Sequence, residues 1–192
     1  LEQSTIEFAK PIDVGEFQPY SRDPETLARP WAIPGTPGLE HRIGGLTKQD
    51  GSGNVSYEAD NHAKMIELRK QKVEGIANSL PPLEINGPNS GELLVLGWGG
   101  TKGSITAAVE QVRKDGLDVS QVHLRHLNPF PNDLGDVLKS FKKVLLSELS
   151  DGHLALLLRA KYLVDIQMLN KIEGQPFKII ELTDAITKLY KA

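Results

Sequence analysis

The sequence predicts an α/β fold: a three-layer domain on a mostly parallel sheet, preceded by an irregular Pro/Gly-rich arm and a helix. Three observations carry this. Leu93, Leu94, Val95 and Leu96 form a short continuous apolar run, the pattern of a strand buried on both faces. Gly97, Gly99, Gly100 and Gly103 follow at once, and Ile105, Ala108, Val109 and Val112 then recur at helical spacing. A second run, Val119 to Leu124, closes a β-α-β unit, which implies parallel pairing through a right-handed crossover.

Ahead of this unit, residues 1–60 are punctuated by Pro11, Pro19, Pro24, Pro30, Pro34 and Pro37, with Gly35, Gly38, Gly44, Gly45, Gly51 and Gly53 among them. No periodicity survives that density of breakers. So long a structureless loop is unusual inside one compact domain, so the arm is expected to wrap over a neighbouring domain or subunit. Its polar insert, KQDGSGN at 48–54, reads as a turn or flexible tip. Asp60 or Asn61 is placed to cap a helix over 62–77, with Met65, Ile66, Val73 and Ile76 as its apolar stripe. Pro81, Pro82, Gly87 and Pro88 then read as a linker. The expected division is arm 1–60, helix and linker 61–91, and α/β domain 92–192.

Within that domain, Asn132 is expected to cap a helix carrying Leu134, Val137, Leu138 and Phe141 on one face. Val144, Leu145 and Leu146 make a third strand that ends in Ser147 and Glu148. Leu154, Leu157, Leu158 and Tyr162 suggest the next helix, and Ile166 and Met168 a short strand. Phe177, Ile179 and Ile180 read as a further strand, after which Thr183 caps a terminal helix bearing Ile186, Leu189 and Tyr190. Strands alternating with helices select the three-layer arrangement.

The composition is that of a globular protein: 192 residues, 39% hydrophobic, 24% charged, formal net charge −3. That balance gives no electrostatic case for nucleic acid or an anionic membrane surface. No run approaches the roughly 18 apolar residues of a membrane helix, and no signal peptide is visible, so the expected location is the cytoplasm. The absence of cysteine removes disulfides, thiolate catalysis and cysteine-held zinc or iron–sulfur clusters from this chain. Because it begins at Leu1, a piece of something longer is expected.

The glycine turn, Gly97 to Gly103, has the spacing G-x-G-x-x-x-G, one residue off the dinucleotide fingerprint, and it lacks the ending of a phosphate loop. A dinucleotide site also wants an acidic residue after the second strand, whereas this one ends His123-Leu124-Arg125-His126. Arg125 suits a 2′-phosphate, so a nucleotide- or CoA-binding module stays open beside the alternative, a tight turn with Thr101 capping the helix and Trp98 packing outside the strand end. Arg125 is also expected to pair with Glu148 at the end of the third strand, a structural contact. In the arm, Arg22, Arg29, His41 and Arg42 either bind a carboxylate or phosphate, or pair with Glu16, Asp23 and Glu40. His41, and His62 with Asp60, lack metal-site spacing, and no metal is expected in this chain.

Five segments, RPWAIPGTPGLEHRIGGL, NHAKMIELRKQKVE, GWGGTKGSI, VHLRHLNPFP and ELSDGHLALLLRAKYLVD, carry a resemblance. In order, from about Phe17 to the end, they resemble the carboxyl-terminal part of alpha subunits of 2-oxoacid:acceptor oxidoreductases, most of all the 2-oxoglutarate:ferredoxin type. The resemblance implies an enzyme that decarboxylates a 2-oxoacid on thiamine diphosphate and magnesium, passes electrons through an iron–sulfur cluster to ferredoxin, and releases acyl-CoA. It implies that residues 92–192 are similar to the transketolase carboxyl-terminal domain, which chiefly organises subunits. Residues 1–60 would be the tail of the thiamine-binding pyrimidine domain, and the implied partners are a beta subunit and a second alpha subunit. Tyr20-Ser21-Arg22 resembles a stretch near the substrate, which makes Arg22 the candidate for a substrate carboxylate. The asparagine-bearing G-D-G signature for magnesium and diphosphate is missing; Asp50-Gly51-Ser52-Gly53-Asn54 is not it. No cofactor is therefore expected in this chain, which alone would be inactive. An assembly domain of a transketolase-like enzyme without a ferredoxin link remains the other alternative. Gly97, Gly99 and Gly103, with Arg125 and Glu148, stand as structural or interface candidates.

Overall fold

The structure is a computed structural model that describes residue 15 and residues 17–192. The start of the arm, with Pro11 and Glu16, lies outside the described residues. The chain divides into two compact units that part after Ser79.

In the first unit, helix α1 (Ala59–Gly75) starts at Ala59, before either expected cap. Asn61 instead serves the arm: its Oδ1 accepts the Asp50 N–H at 3.1 Å and its Nδ2 donates to the Lys48 carbonyl at 2.9 Å. Lys64 adds an ion pair to Asp50 at 2.6 Å, and Thr47 meets His62 at 2.9 Å. Two antiparallel bridges, Tyr20 with Gly51 and Lys48 with Val55, tie the loop to itself. Lys48 is buried, and its ammonium donates to the carbonyls of Gly44 and Leu46. These described backbone groups of the arm thus find partners in turns, bridges and side chains instead of ladders. Of the expected apolar stripe, only Met65 is buried; Ile66 on α1 and Ile76 just past its end stay about half exposed.

The second unit is a five-stranded sheet in the order β1-β3-β2-β4-β5. Its strands are β1 (Ile85–Asn86), β2 (Gly91–Trp98), β3 (Val119–Leu124), β4 (Phe141–Glu148) and β5 (Ile166–Asn170). All pair in parallel except β1, a two-residue antiparallel edge in the segment expected to be a linker. Alternation along β2 builds two cores. Leu94 and Leu96 join Leu146, Leu134 and Leu138 of α3 (Leu134–Lys139), and Leu154, Ala155 and Leu158 of α4 (His153–Tyr162). Leu93 and Val95 face the other way, onto Ile105, Ala108 and Val112 of α2 (Lys102–Lys114), and Leu182 and Ile186 of α5 (Ile179–Lys191). Two helices on each face of a mostly parallel sheet make the three-layer domain.

Several local expectations fail. Ile179 and Ile180 open α5 instead of forming a strand, because Glu181 in the first turn accepts the Lys178 N–H at 2.8 Å and starts the helix there. Thr183 therefore sits inside α5. Asn132 does not open α3, which begins at Leu134; the preceding Asp133 accepts the Leu83 N–H at 2.8 Å, and Phe141 belongs to β4. Thr101 is not a side-chain cap, since its hydroxyl donates back to the Trp98 carbonyl at 2.9 Å within a short 3-10 turn. No described helix is long and apolar enough to cross a membrane.

Candidate functional site

The glycine turn joins β2 to α2 over Gly99–Thr101. A Cβ on Gly97 would run into Ile105 Cδ1 and lie 2.6 Å from Thr101 Oγ1, so the helix packs where a side chain would stand. Around Gly99, Gly100 and Gly103 an added Cβ meets nothing within 4 Å. One glycine of the turn is thus required by packing, and three face open space.

Arg125 and Glu148 do not pair. In the sheet, β2 lies between β3 and β4, which separates their ends by about 10 Å. The two side chains also leave on opposite faces: β4 alternates Val144, Leu146 and Glu148 toward α4, whereas β3 alternates Val119, Gln121 and His123 toward α2. Glu148 is fully buried, accepts the Ser150 hydroxyl at 2.6 Å and reaches the amides of Leu154 and Ala155, so it anchors the start of α4. Arg125 is exposed.

At the β3 end, Lys102, Thr106, Gln121, His123 and Arg125 line a cavity of about 320 Å³ with Glu84, Ile85 and Asn86. Its floor is the buried Gln121, whose Nε2 donates to Thr106 Oγ1 at 2.9 Å and whose Oε1 accepts from Asn86 at 3.4 Å. Burial, then the nearby cations Lys102 and Arg125, hold the His123 pKa below its ordinary value, so the ring is neutral near pH 7. Its Nδ1 is buried and has no hydrogen-bond partner among the described residues. A smaller cavity of about 90 Å³, lined by Pro81, Pro82, Leu83, His126 and Pro131, shares Glu84, His123 and Arg125. Sequence reasoning named His123 and Arg125 but missed Lys102 and the floor. The signal was the period-two run Gln121, His123, Arg125, three polar residues in a row on one strand face.

In the first unit, Arg22 lines a cavity of about 400 Å³ with Tyr20, Asp50 and Lys64. Its Nη1 donates to the Leu27 carbonyl at 3.1 Å, while Nε is buried without a hydrogen-bond partner among the described residues. Burial lowers its pKa from the ordinary value, and Asp50 opposes that shift. Arg29 stacks over the Tyr20 ring at 4.4 Å, with Arg22 at 5.9 Å. His41 and Arg42 line a separate cavity, where His41 contacts the Phe17 ring at 5.3 Å. The expected acidic partners are engaged elsewhere: Asp23 accepts from Thr26 at 2.7 Å, and Glu40 from the Gly38 N–H at 2.8 Å. Glu16 lies outside the described residues.

Residues 91–182 match the pyruvate:ferredoxin oxidoreductase core domain II. The chain is 51% identical over 187 residues to the 2-oxoglutarate oxidoreductase subunit KorA of Mycobacterium tuberculosis, covering 96% of this chain and 27% of that protein. It is 28% identical over 131 residues to subunit alpha of 2-oxoacid:ferredoxin oxidoreductase 1 of Aeropyrum pernix, covering 66% of this chain and 20% of that protein. The chain thus spans about a quarter of the length of these relatives. In fold it is similar to a 2-oxoglutarate:ferredoxin oxidoreductase from Magnetococcus marinus solved with 2-oxoglutarate, coenzyme A and succinyl-CoA bound. That likeness has a TM-score of 0.83 at 24% identity and covers 92% of this chain and 31% of that one. Identity that runs through both units, together with the match over the α/β domain, places the chain in the family of 2-oxoacid:ferredoxin oxidoreductase alpha subunits.

Proposed function

We propose that this chain is the carboxyl-terminal structural and assembly part of the alpha subunit of a thiamine-diphosphate-dependent 2-oxoglutarate:ferredoxin oxidoreductase. The observation that carries the proposal is the 51% identity to a 2-oxoglutarate oxidoreductase subunit across 96% of the chain. The whole enzyme would cleave the bond between the carboxylate and the keto carbon and release carbon dioxide. Coenzyme A would take up the acyl group, and two electrons would pass to ferredoxin.

The residues present fit neither the magnesium and diphosphate of thiamine diphosphate nor an iron–sulfur cluster. Asp50, the one acidic residue of the Asp50–Asn54 turn, is held by Lys64 at 2.6 Å, and the chain has no cysteine for a cluster. What the chain supplies is a rigid three-layer body on which subunits assemble, and in its first unit a fixed guanidinium, Arg22, suited to the distal carboxylate of a dicarboxylic substrate. The implied partners are a beta subunit and a second alpha subunit.

The test is reconstitution of the full-length alpha subunit with its beta subunit, followed by 2-oxoglutarate- and CoA-dependent ferredoxin reduction. The expected result is turnover with 2-oxoglutarate well above that with pyruvate, and loss of the assembled species on gel filtration when residues 80–192 are deleted. Turnover by the 192-residue chain alone, or intact assembly without residues 80–192, overturns the proposal.

A further inference from the structure

The cavity at the end of β3 has no part in that assembly role. Lys102, at the first position of α2, and Arg125, just past β3, point no charge at any partner: neither side chain makes a hydrogen bond or ion pair with another described residue. Both act electrostatically on the same His123, which brings the three groups into one neighbourhood. His123 stands opposite Gly97 across the β2–β3 pairing, so the cavity opens beside the glycine turn at the carboxyl ends of the strands. Open α/β sheets bind their ligands outside those ends.

We propose that Lys102, His123 and Arg125 form a binding site for the phosphoryl group of a small organic phosphate. Two permanent cations match the roughly two negative charges of a phosphate monoester, and the arginine fork adds paired hydrogen bonds to its oxygens. Lys102 opens a thirteen-residue helix, whose first amides add positive potential on the same side. Among the described residues only one carboxylate, the exposed Glu84, lines the cavity. The floor is built rather than left over: Gln121 is buried and clasped between Thr106 and Asn86. At about 320 Å³ the space exceeds what a bare phosphate fills and sits at the small end of ligand pockets, which run from about 300 to 1,000 Å³. Thr106, Gln121 and Asn86 then face the organic portion with donors and acceptors.

The site belongs to the α/β domain alone and does not depend on which 2-oxoacid the assembled enzyme uses, so its test reads binding instead of turnover. The 192-residue chain is titrated with inorganic phosphate and, separately, with adenosine 5′-monophosphate at constant ionic strength, following the imidazole resonances of His123 by NMR. The expected result is a saturable shift and a rise in the His123 pKa when the site is filled. Glu84, Lys102, Arg125 and His126 are the charged or titratable groups around that ring. Tighter binding of the nucleotide than of phosphate identifies the organic phosphate as the ligand; equal binding reduces the site to free phosphate and overturns the organic part of the proposal. Lys102→Gln and Arg125→Gln are each expected to weaken binding about tenfold with the fold intact, since both side chains are exposed. No saturable shift with either ligand, or unchanged affinity in both variants, overturns the site.

Discussion

The Lys171 ammonium lies 2.9 Å from both carboxylate oxygens of Glu181, joining the segment after β5 to the first turn of α5. The same carboxylate accepts the Lys178 N–H, so one acidic group both starts the terminal helix and neutralises a buried lysine. The Lys171 bond first, and then the Lys178 N–H, hold the Glu181 pKa below the ordinary glutamate value of 4.5. A depressed carboxylate stabilises the fold above its unfolded pKa, and that contribution is lost as pH falls through the folded pKa. The chain is therefore expected to lose melting temperature as pH drops below about 4.5, and Glu181→Gln to flatten that part of the curve while lowering stability at pH 7. A profile of the same slope in Glu181→Gln rejects the assignment.

Gly97 and Gly103 are expected to part company. Gly97→Ala drives a methyl into Ile105 and Thr101 and is predicted to cost about 1–3 kcal/mol in chemical denaturation. Gly103→Ala, inside α2 with open space around it, is predicted to be neutral or to stabilise by up to about 1 kcal/mol. Equal losses at the two positions overturn the packing account of the turn.

Glu148→Ala leaves the Ser150 hydroxyl and the first amides of α4 without their acceptor, at a predicted cost of about 1–3 kcal/mol. Arg125→Ala removes an exposed side chain on the other face and is predicted to stay within about 0.5 kcal/mol of the parent. A double mutant that departs from the sum of the two singles revives a direct pairing.

Arg22 is held in place by the Leu27 carbonyl, and Leu27 adopts a left-handed φ of 56° that few branched residues take up. In the reconstituted enzyme, Arg22→Ala is predicted to raise the KM for 2-oxoglutarate about tenfold or more, with a smaller effect on a monocarboxylic 2-oxoacid. Normal kinetics with both substrates removes Arg22 from the substrate site.

The β2-α2-β3 unit, β4 and α4 were legible in the sequence because each carries a continuous apolar run or a helical stripe that has to be buried. The apolar pair Ile179 and Ile180 misleads because so short a run has no period of its own; the decision lies with Glu181, whose partners Lys171 and Lys178 are identified only in three dimensions. β1 has two residues, too few for any pattern. Arg125 and Glu148 both stand at strand ends, which suggests a pair, but strand order is a tertiary fact, and the strand between them is β2. The cavity residues His123 and Arg125 were visible as polar groups at a strand end, whereas Lys102 reaches them only once α2 folds back beside β3.

The short β1 gives the sheet a direction. Arg113 of α2 reaches over this margin to Asn86 and to the Val119 carbonyl, Ser120 donates to the Pro88 carbonyl, and Pro81 and Pro82 precede the strand. A strand arriving there would find two residues of ladder and then prolines and a guanidinium. On the opposite margin β5 offers five residues whose outer amides and carbonyls meet no strand among those described, with Met168 partly exposed. The two margins thus differ in length: β1 is a two-residue edge followed by prolines, whereas β5 is a five-residue edge on which Arg159 donates to the Ile166 carbonyl.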